Sequence, residues 1–224
     1  LFVMDERQNL YKREYSWVDS MTNSKFRGPW RLLKESYRLP ARLLAETNRF
    51  ATQFFPGIGA TPEPIPSQGD LFAPHYVWRN LDKGDNYEGK IRLAYNWLTE
   101  GKKIHPSDII VLAHSHSIGW KLVESFKPLG VNHTFEEDSD SPTHKHKMSF
   151  WMGDSRVKMS TIHSFKGWEL TNVILLITPL PNQADVVAFD NMIYTSMTRT
   201  RSNLIVFNLE PRYNEYGNQW PSEW

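Results

Sequence analysis

Two arginines and one polar turn are the residues in this sequence best suited to chemistry on an anion. Arg38 stands where a strand-like stretch gives way to a helix-like one, and Arg199 sits near the end of residues 191–201, a short helix-like run that finishes on two arginines. A guanidinium is planar, stays charged and presents a fork of donors, which matches phosphate oxygens better than an ammonium does. Between them lies His163-Ser164-Phe165-Lys166-Gly167-Trp168-Glu169, a polar turn with a single glycine. His163, Ser164 and Lys166 supply donors that suit phosphate, since backbone and sugar contacts need donors rather than sequence readers. A solvated surface charge is the commoner fate of an arginine at such a corner, and Arg201 serves equally as a cation at a helix C-terminus.

These groups matter only if the elements beneath them hold them in place. Residues 157–162 carry the β-branched types that a strand favours. The apolar runs 173–177 and 204–207 suit strands buried on both faces. Strand, loop, strand, helix, strand is α/β logic, and ligands then sit in the loops at strand ends. Upstream, residues 30–35 look like a strand and Pro40 suits the first turn of a helix. Leu43, Leu44, Thr47, Phe50, Ala51, Phe54 and Phe55 follow at helical spacing. Residues 76–81 predict an edge strand; Tyr87, Ile91, Ala94 and Leu98 mark a helix ending near Gly101. Residues 108–113 predict a buried strand, Ile118, Leu122, Phe126 and Leu129 a second helix, and 131–135 a further strand. That β-α-β order has connections short enough for right-handed crossovers. Residues 56–70 are too rich in Pro and Gly for a regular element and predict an exposed loop.

Two of these stretches resemble motifs V and VI of the UvrD/Rep-type superfamily I helicases. Motif V has the form T-x-H-x-x-K-G-x-E, matched by Thr161, His163, Lys166, Gly167 and Glu169; motif VI pairs an aromatic residue with Thr-Arg and a hydrophobic strand, matched by Tyr194, Thr198, Arg199 and residues 204–207. The opening LFVMDERQNLY is similar to motif III, with Gln8 and Tyr11 in place, Met4 where the family has glycine, and Arg13-Glu14 where many members have Trp-Arg. Ser36-Tyr37-Arg38 resembles the N-Y-R core of motif IV, with serine for the usual asparagine. The resemblance covers residues 1 to about 208.

What it implies can be set out residue by residue. The fold would be α/β, a RecA-like parallel sheet flanked by helices, with residues 1–28 the tail of a first RecA-like domain and 29–224 the second. Arg38 and Arg199 would act on the γ-phosphate as arginine fingers, and Gln8 would sense that phosphate. Tyr37 would meet the nucleotide base and Glu169 the ribose, with Gly167 beside them. Thr161, His163, Lys166 and Trp168 would contact the nucleic acid. The cofactors would be ATP and Mg²⁺, with the metal ligands outside this chain, because the sequence holds no G-x-x-x-x-G-K-[ST] loop and no D-E-x-x pair ahead of Gln8. The partners would be single-stranded DNA, with RNA as a variant, and an N-terminal RecA-like domain of the same polypeptide. The family's large insertion domain ahead of motif V is here reduced to about twenty residues after Phe135.

Composition bounds the rest. Lys plus Arg number 26 against 25 Asp plus Glu, so any nucleic-acid contact is local rather than a global charge effect. The absence of cysteine excludes disulfides and thiolate metal sites and sets an intracellular, cytoplasmic expectation. No apolar run reaches the length of a membrane span, and the first residues form no signal peptide; the abrupt LFVM start suggests a piece of something longer. His114 with His116, and the acidic run 136–140 with the following HKHK, invite a metal reading, but polar strand ends and a charged loop account for them more simply. Among nine tryptophans, Trp30, Trp78, Trp97 and Trp120 fall inside predicted elements and read as packing residues, whereas Trp168 lies in the motif V turn. Two other classes stay open. A non-catalytic nucleic-acid or protein-binding module could keep this fold, and a flavodoxin-like mononucleotide enzyme would need a glycine-bearing loop after its first strand, which DERQNLY is not.

Overall fold

The structure, a computed structural model, describes residues 35–36, 39–57, 62–64, 74–136, 145–165, 168, 170–180 and 185–220. In chain order the elements are β1 (Glu35–Ser36), α1 (Ala41–Phe54), β2 (Glu63–Pro64), β3 (Tyr76–Asn80), α2 (Tyr87–Asn96), β4 (Ile109–Ala113), α3 (His116–Phe126), β5 (Val131–His133), α4 (Lys145–Ser149), β6 (Val157–Thr161), β7 (Leu170–Ile177), α5 (Val186–Arg199), β8 (Thr200–Asn208) and α6 (Asn214–Asn218). Six of the strands form one sheet in the order β3-β8-β7-β4-β6-β5, and every pairing in it is parallel.

Parallel strands bury both faces, so alternate residues feed two separate cores. Ile110, Leu112, Val173, Leu175, Leu204 and Val206 point to one, where α1, α5 and the C-terminal Tyr213, Tyr216 and Trp220 cover them. Ile109, Val111, Ile174, Leu176, Ile205 and Phe207 point to the other, under α2 and α3. This is the expected α/β architecture, a parallel sheet flanked by helices. The helices start where short polar side chains can cap them. Asn86, Ser115 and Asp185 accept from the backbone N–H of Gly89, Ile118 and Ala188. Pro40 is itself the cap of α1, just ahead of the predicted first turn, and its carbonyl accepts from Leu44 N–H.

Several boundaries differ from the sequence expectation for identifiable reasons. β7 begins at Leu170 rather than 173 because Asn172, polar in the sequence, is hydrogen-bonded on both its amide atoms and can be buried. α5 begins at Val186 rather than 191; its exposed Val186 and Val187 obscure the helical pattern. Leu129 is exposed in a 3-10 turn, Lys127–Leu129, since Pro128 cannot continue α3. The predicted loop 56–70 contributes Glu63–Pro64, which pairs in parallel with Glu35–Ser36. Residues 30–34 and the 28/29 domain boundary lie outside the described residues. Among the described residues, no helix is long and apolar enough to cross a membrane.

Candidate functional site

The register of the sheet decides which loops share an edge. β6 runs from Val157 to Thr161, and Thr161 lies opposite Ala113 at the carboxyl end of β4. The chain must then return, because Leu170 opens β7 at the opposite edge, paired with Thr200. The predicted motif V turn is therefore a crossover that spans the sheet. Ile162 and Phe165 anchor it by burying their side chains in the core shared with α1 and α5.

At the carboxyl edge the turn is closed by its own hydroxyls. Thr161 Oγ1 accepts from Ser164 N–H at 3.1 Å and donates to Ser164 Oγ at 3.0 Å, and Thr134 Oγ1 accepts from Thr161 N–H at 3.3 Å. Thr161 is buried, so its hydroxyl shapes the turn from inside, while His163 and Ser164 are half-buried beside it. His114, at the end of β4, is hydrogen-bonded to Thr178 Oγ1 at 3.1 Å and packs edge-on against Phe189; burial lowers its pKa. His116 Nδ1 accepts from Glu136 N–H at 2.9 Å.

At the amino edge, Arg199 is the last residue of α5 and Thr200 the first of β8. The Leu170–Thr200 pairing thus sets the end of the predicted motif V turn beside Arg199. Trp168 stands here, 48% exposed, with its N–H donated to Phe165 C=O at 3.2 Å. A chain of amides stiffens this edge. His75 N–H donates to Asn203 Oδ1, Asn203 Nδ2 to Asn172 Oδ1, and Asn172 Nδ2 to Asp108 C=O, at 2.8, 2.6 and 2.9 Å. The ladder joins the starts of β3, β8, β7 and β4. A pocket of about 280 Å³ opens beside it, between Asp108-Ile109, Leu170-Thr171 and Met152-Gly153.

The helix that ends at Arg199 is anchored by its other side chains. Tyr194 is buried and meets Phe55 of the segment after α1 edge-on at 5.6 Å, and Thr198 Oγ1 donates to Tyr194 C=O at 3.0 Å. Near the other end of α5, Asp190 accepts from Tyr213 Oη at 2.7 Å and from Arg212 Nη2 at 2.9 Å. Burial raises the Asp190 pKa, against the pull of Arg212 and Tyr213. This clamp was invisible to the motif reading, although an aspartate inside an apolar helix was a signal. Lys158, alone among apolar and hydroxyl residues on β6, was another. It is fully buried, donates to Pro106 C=O at 2.8 Å and to Asp154 C=O at 3.2 Å, and burial lowers its pKa to about 8.

Of the residues singled out from the sequence, Arg199 and Trp168 lie at the amino edge and Thr161 and His163 at the carboxyl edge. Gln8, Tyr37, Arg38, Lys166, Gly167 and Glu169 lie outside the described residues. Among the described residues, no cluster of three or more His, Cys, Asp or Glu could hold a metal ion.

Comparison with known proteins points to the same part of the chain. Residues 157–207 match the family described as UvrD-like helicase C-terminal domain. No curated protein matches. Among solved structures, the C-terminal domain of a possible DNA helicase from Lactobacillus plantarum WCFS1 is similar at 16% identity and a TM-score of 0.48, over 79% of this chain and 91% of that one. The E. coli DEAD-box protein SrmB, bound to regulator of ribonuclease activity A, is similar at 13% identity and 0.41, over 68% and 89%. S. tokodaii Xpd4 is similar at 12% and 0.37, over 70% and 38%. The family match spans β6, the crossover, β7, α5 and most of β8, so the likeness to the UvrD-like helicase C-terminal domain lies in residues 157–207.

Proposed function

We propose that this chain works as the second motor domain of an ATP-dependent superfamily I DNA helicase or translocase. It supplies arginine fingers and single-strand contacts to a nucleotide site that a companion RecA-like domain completes. The observation that carries this reading is the Leu170–Thr200 pairing, which sets the end of the motif V turn next to Arg199 at a single sheet edge. In this reading Arg199 and Arg38 reach the γ-phosphate, Gln8 senses it, and Tyr37, Gly167 and Glu169 line the base and ribose. His163, Lys166 and Trp168 contact the single strand, and the buried Thr161 acts by shaping the turn that carries them. The residue types suit a phosphate, since a guanidinium is a planar fork that can make two parallel hydrogen bonds to its oxygens. ATP supplies the phosphoryl group, and the Mg²⁺ ligands belong to the companion domain.

The test is made in the enzyme completed by its P-loop domain. Arg199→Ala lowers kcat by on the order of 10³, the scale for loss of an arginine finger, while nucleotide affinity changes much less. Arg199→Lys does not rescue, because an ammonium lacks the planar fork. Turnover at the wild-type level in Arg199→Ala refutes the assignment and favours a binding module that kept the fold.

A further inference from the structure

The short helix α4 is held to the sheet chiefly by one ring. Of the side chains at 146–149, His146 is half-buried, whereas Lys147, Met148 and Ser149 are exposed, Met148 by 83%. The His146 ring stacks on His133 of β5, with centroids 4.5 Å apart and planes inclined by 27°, and it meets Trp120 of α3 edge-on at 5.7 Å. A hydrogen bond adds to this, from Lys147 N–H to Glu136 Oε1 at 2.9 Å. Just after the helix, Phe150 and Met152 pack against the core under α1 and α5 and tether the chain there. Apolar packing thus secures the residues that follow α4, while α4 itself rests on polar contacts at β5, the outer strand of the sheet.

Those contacts need a neutral pair of rings. His133 is buried and its Nδ1 accepts from Phe135 N–H at 3.2 Å, so a proton added at Nδ1 meets a donor instead of an acceptor. Two imidazolium rings stacked at 4.5 Å also repel, and at a half-buried site water screens them only in part. Among the described residues the titratable neighbours are few. Glu136 follows β5 and draws a proton towards His133; α4 brings His146 and Lys147; α3 brings His116, whose Nδ1 accepts from Glu136 N–H. Trp120 on α3 and Met159, paired with His133 on β6, carry no charge. Burial, and next His146, lowers the His133 pKa to about 4, so the docked arrangement disfavours the proton. We propose that α4 is a proton-released latch, closed on β5 while the His133–His146 stack is neutral and lifted from it when the stack is protonated. Its release uncovers the carboxylate of Glu136, a residue also tied to α3 through His116 Nδ1 and the Trp120 indole N–H.

A spin label tests it, because the chain has no cysteine and one introduced at the exposed Met148 is unique. The label on Met148→Cys becomes more mobile between pH 7 and pH 5. The open fraction rises by up to about twentyfold, the linkage for a histidine whose pKa moves from about 4 when docked to about 6.5 when released. A control label on Val187→Cys, at the exposed start of α5, keeps its spectrum, and far-UV circular dichroism is unchanged. His146→Phe supplies a ring that cannot take a proton and holds the Met148→Cys label in its pH 7 state at pH 5. His146→Ala mobilises that label at both pH values. An unchanged spectrum at pH 5 overturns the latch, as does equal mobilisation in His146→Phe. A simultaneous change at Val187→Cys overturns it too, since the event is then global unfolding.

Discussion

His133 is the residue whose charge the fold most plainly controls. Its ring stacks on His146 at 4.5 Å and on Phe135 at 5.6 Å, Trp120 meets it edge-on at 4.8 Å, and Nδ1 accepts from Phe135 N–H at 3.2 Å. Among the described residues, Glu136 is the charged neighbour that acts on it, with its Oε1 accepting from Lys147 N–H at 2.9 Å. Burial first, and then the neighbouring His146, lowers the His133 pKa to about 4, against the pull of Glu136. An unfolded histidine titrates near 6.5, so between those two values the unfolded chain binds more protons than the folded one. Stability therefore falls as pH drops through this window. From pH 7 to pH 5 the single group costs about 2 kcal/mol. Urea unfolding at the two pH values measures it, and His133→Phe flattens the dependence. A ring resonance of His133 that titrates near 6.5 in the folded chain contradicts the account.

At the scale of elements, α3 comes unusually close to the sheet edge formed by β5 and β6. A Cβ at Gly119 would come within 2.3 Å of the Phe135 ring, which is itself fully buried. In an open helix Gly→Ala stabilises by about 1 kcal/mol. Here the added methyl must displace a packed aromatic ring, which costs about 1–3 kcal/mol. Gly119→Ala thus lowers the unfolding free energy by up to about 2 kcal/mol, measured by urea denaturation; a gain in stability would show that the ring has room to move. This close approach was not legible in the sequence, because nothing in HSIGWKL says which ring the glycine faces. The strands were legible, since IIVLA and VILLI leave no polar face to put in water. So was α1, whose apolar spacing survives intact in Leu43, Leu44, Thr47, Phe50 and Ala51. What the sequence obscured was polar burial. Asn172, Asn203, Lys158 and Asp190 read as solvent-facing until their partners, distant in sequence, are known. Likewise, the motif spacing grouped Thr161, His163 and Trp168 in one turn, whereas the parallel register sends that turn from one edge of the sheet to the other.

For the molecule as a whole, net charge and motif content set the expected behaviour of the 224-residue chain by itself. Its formal net charge is +1, so no long-range field draws in a polyanion, and binding must come from a few local cations and stacked rings. Single strands are then held weakly, with affinity that falls steeply between low and moderate salt as counterions are released. Turnover requires more than binding. Phosphoryl transfer needs a cradle for the β- and γ-phosphates, a Mg²⁺ site and a group that orients water. The sequence contains no G-x-x-x-x-G-K-[ST] loop to form the cradle. An arginine at a sheet edge can stabilise charge that develops in a transition state, but it cannot assemble the reacting groups. The chain alone accordingly shows no ATP hydrolysis above background in a phosphate-release assay, with or without single-stranded DNA. Addition of the P-loop domain restores hydrolysis, and Arg199→Ala abolishes that restoration. Rapid hydrolysis by the chain alone would place the phosphate cradle within these residues and overturn the proposed reading.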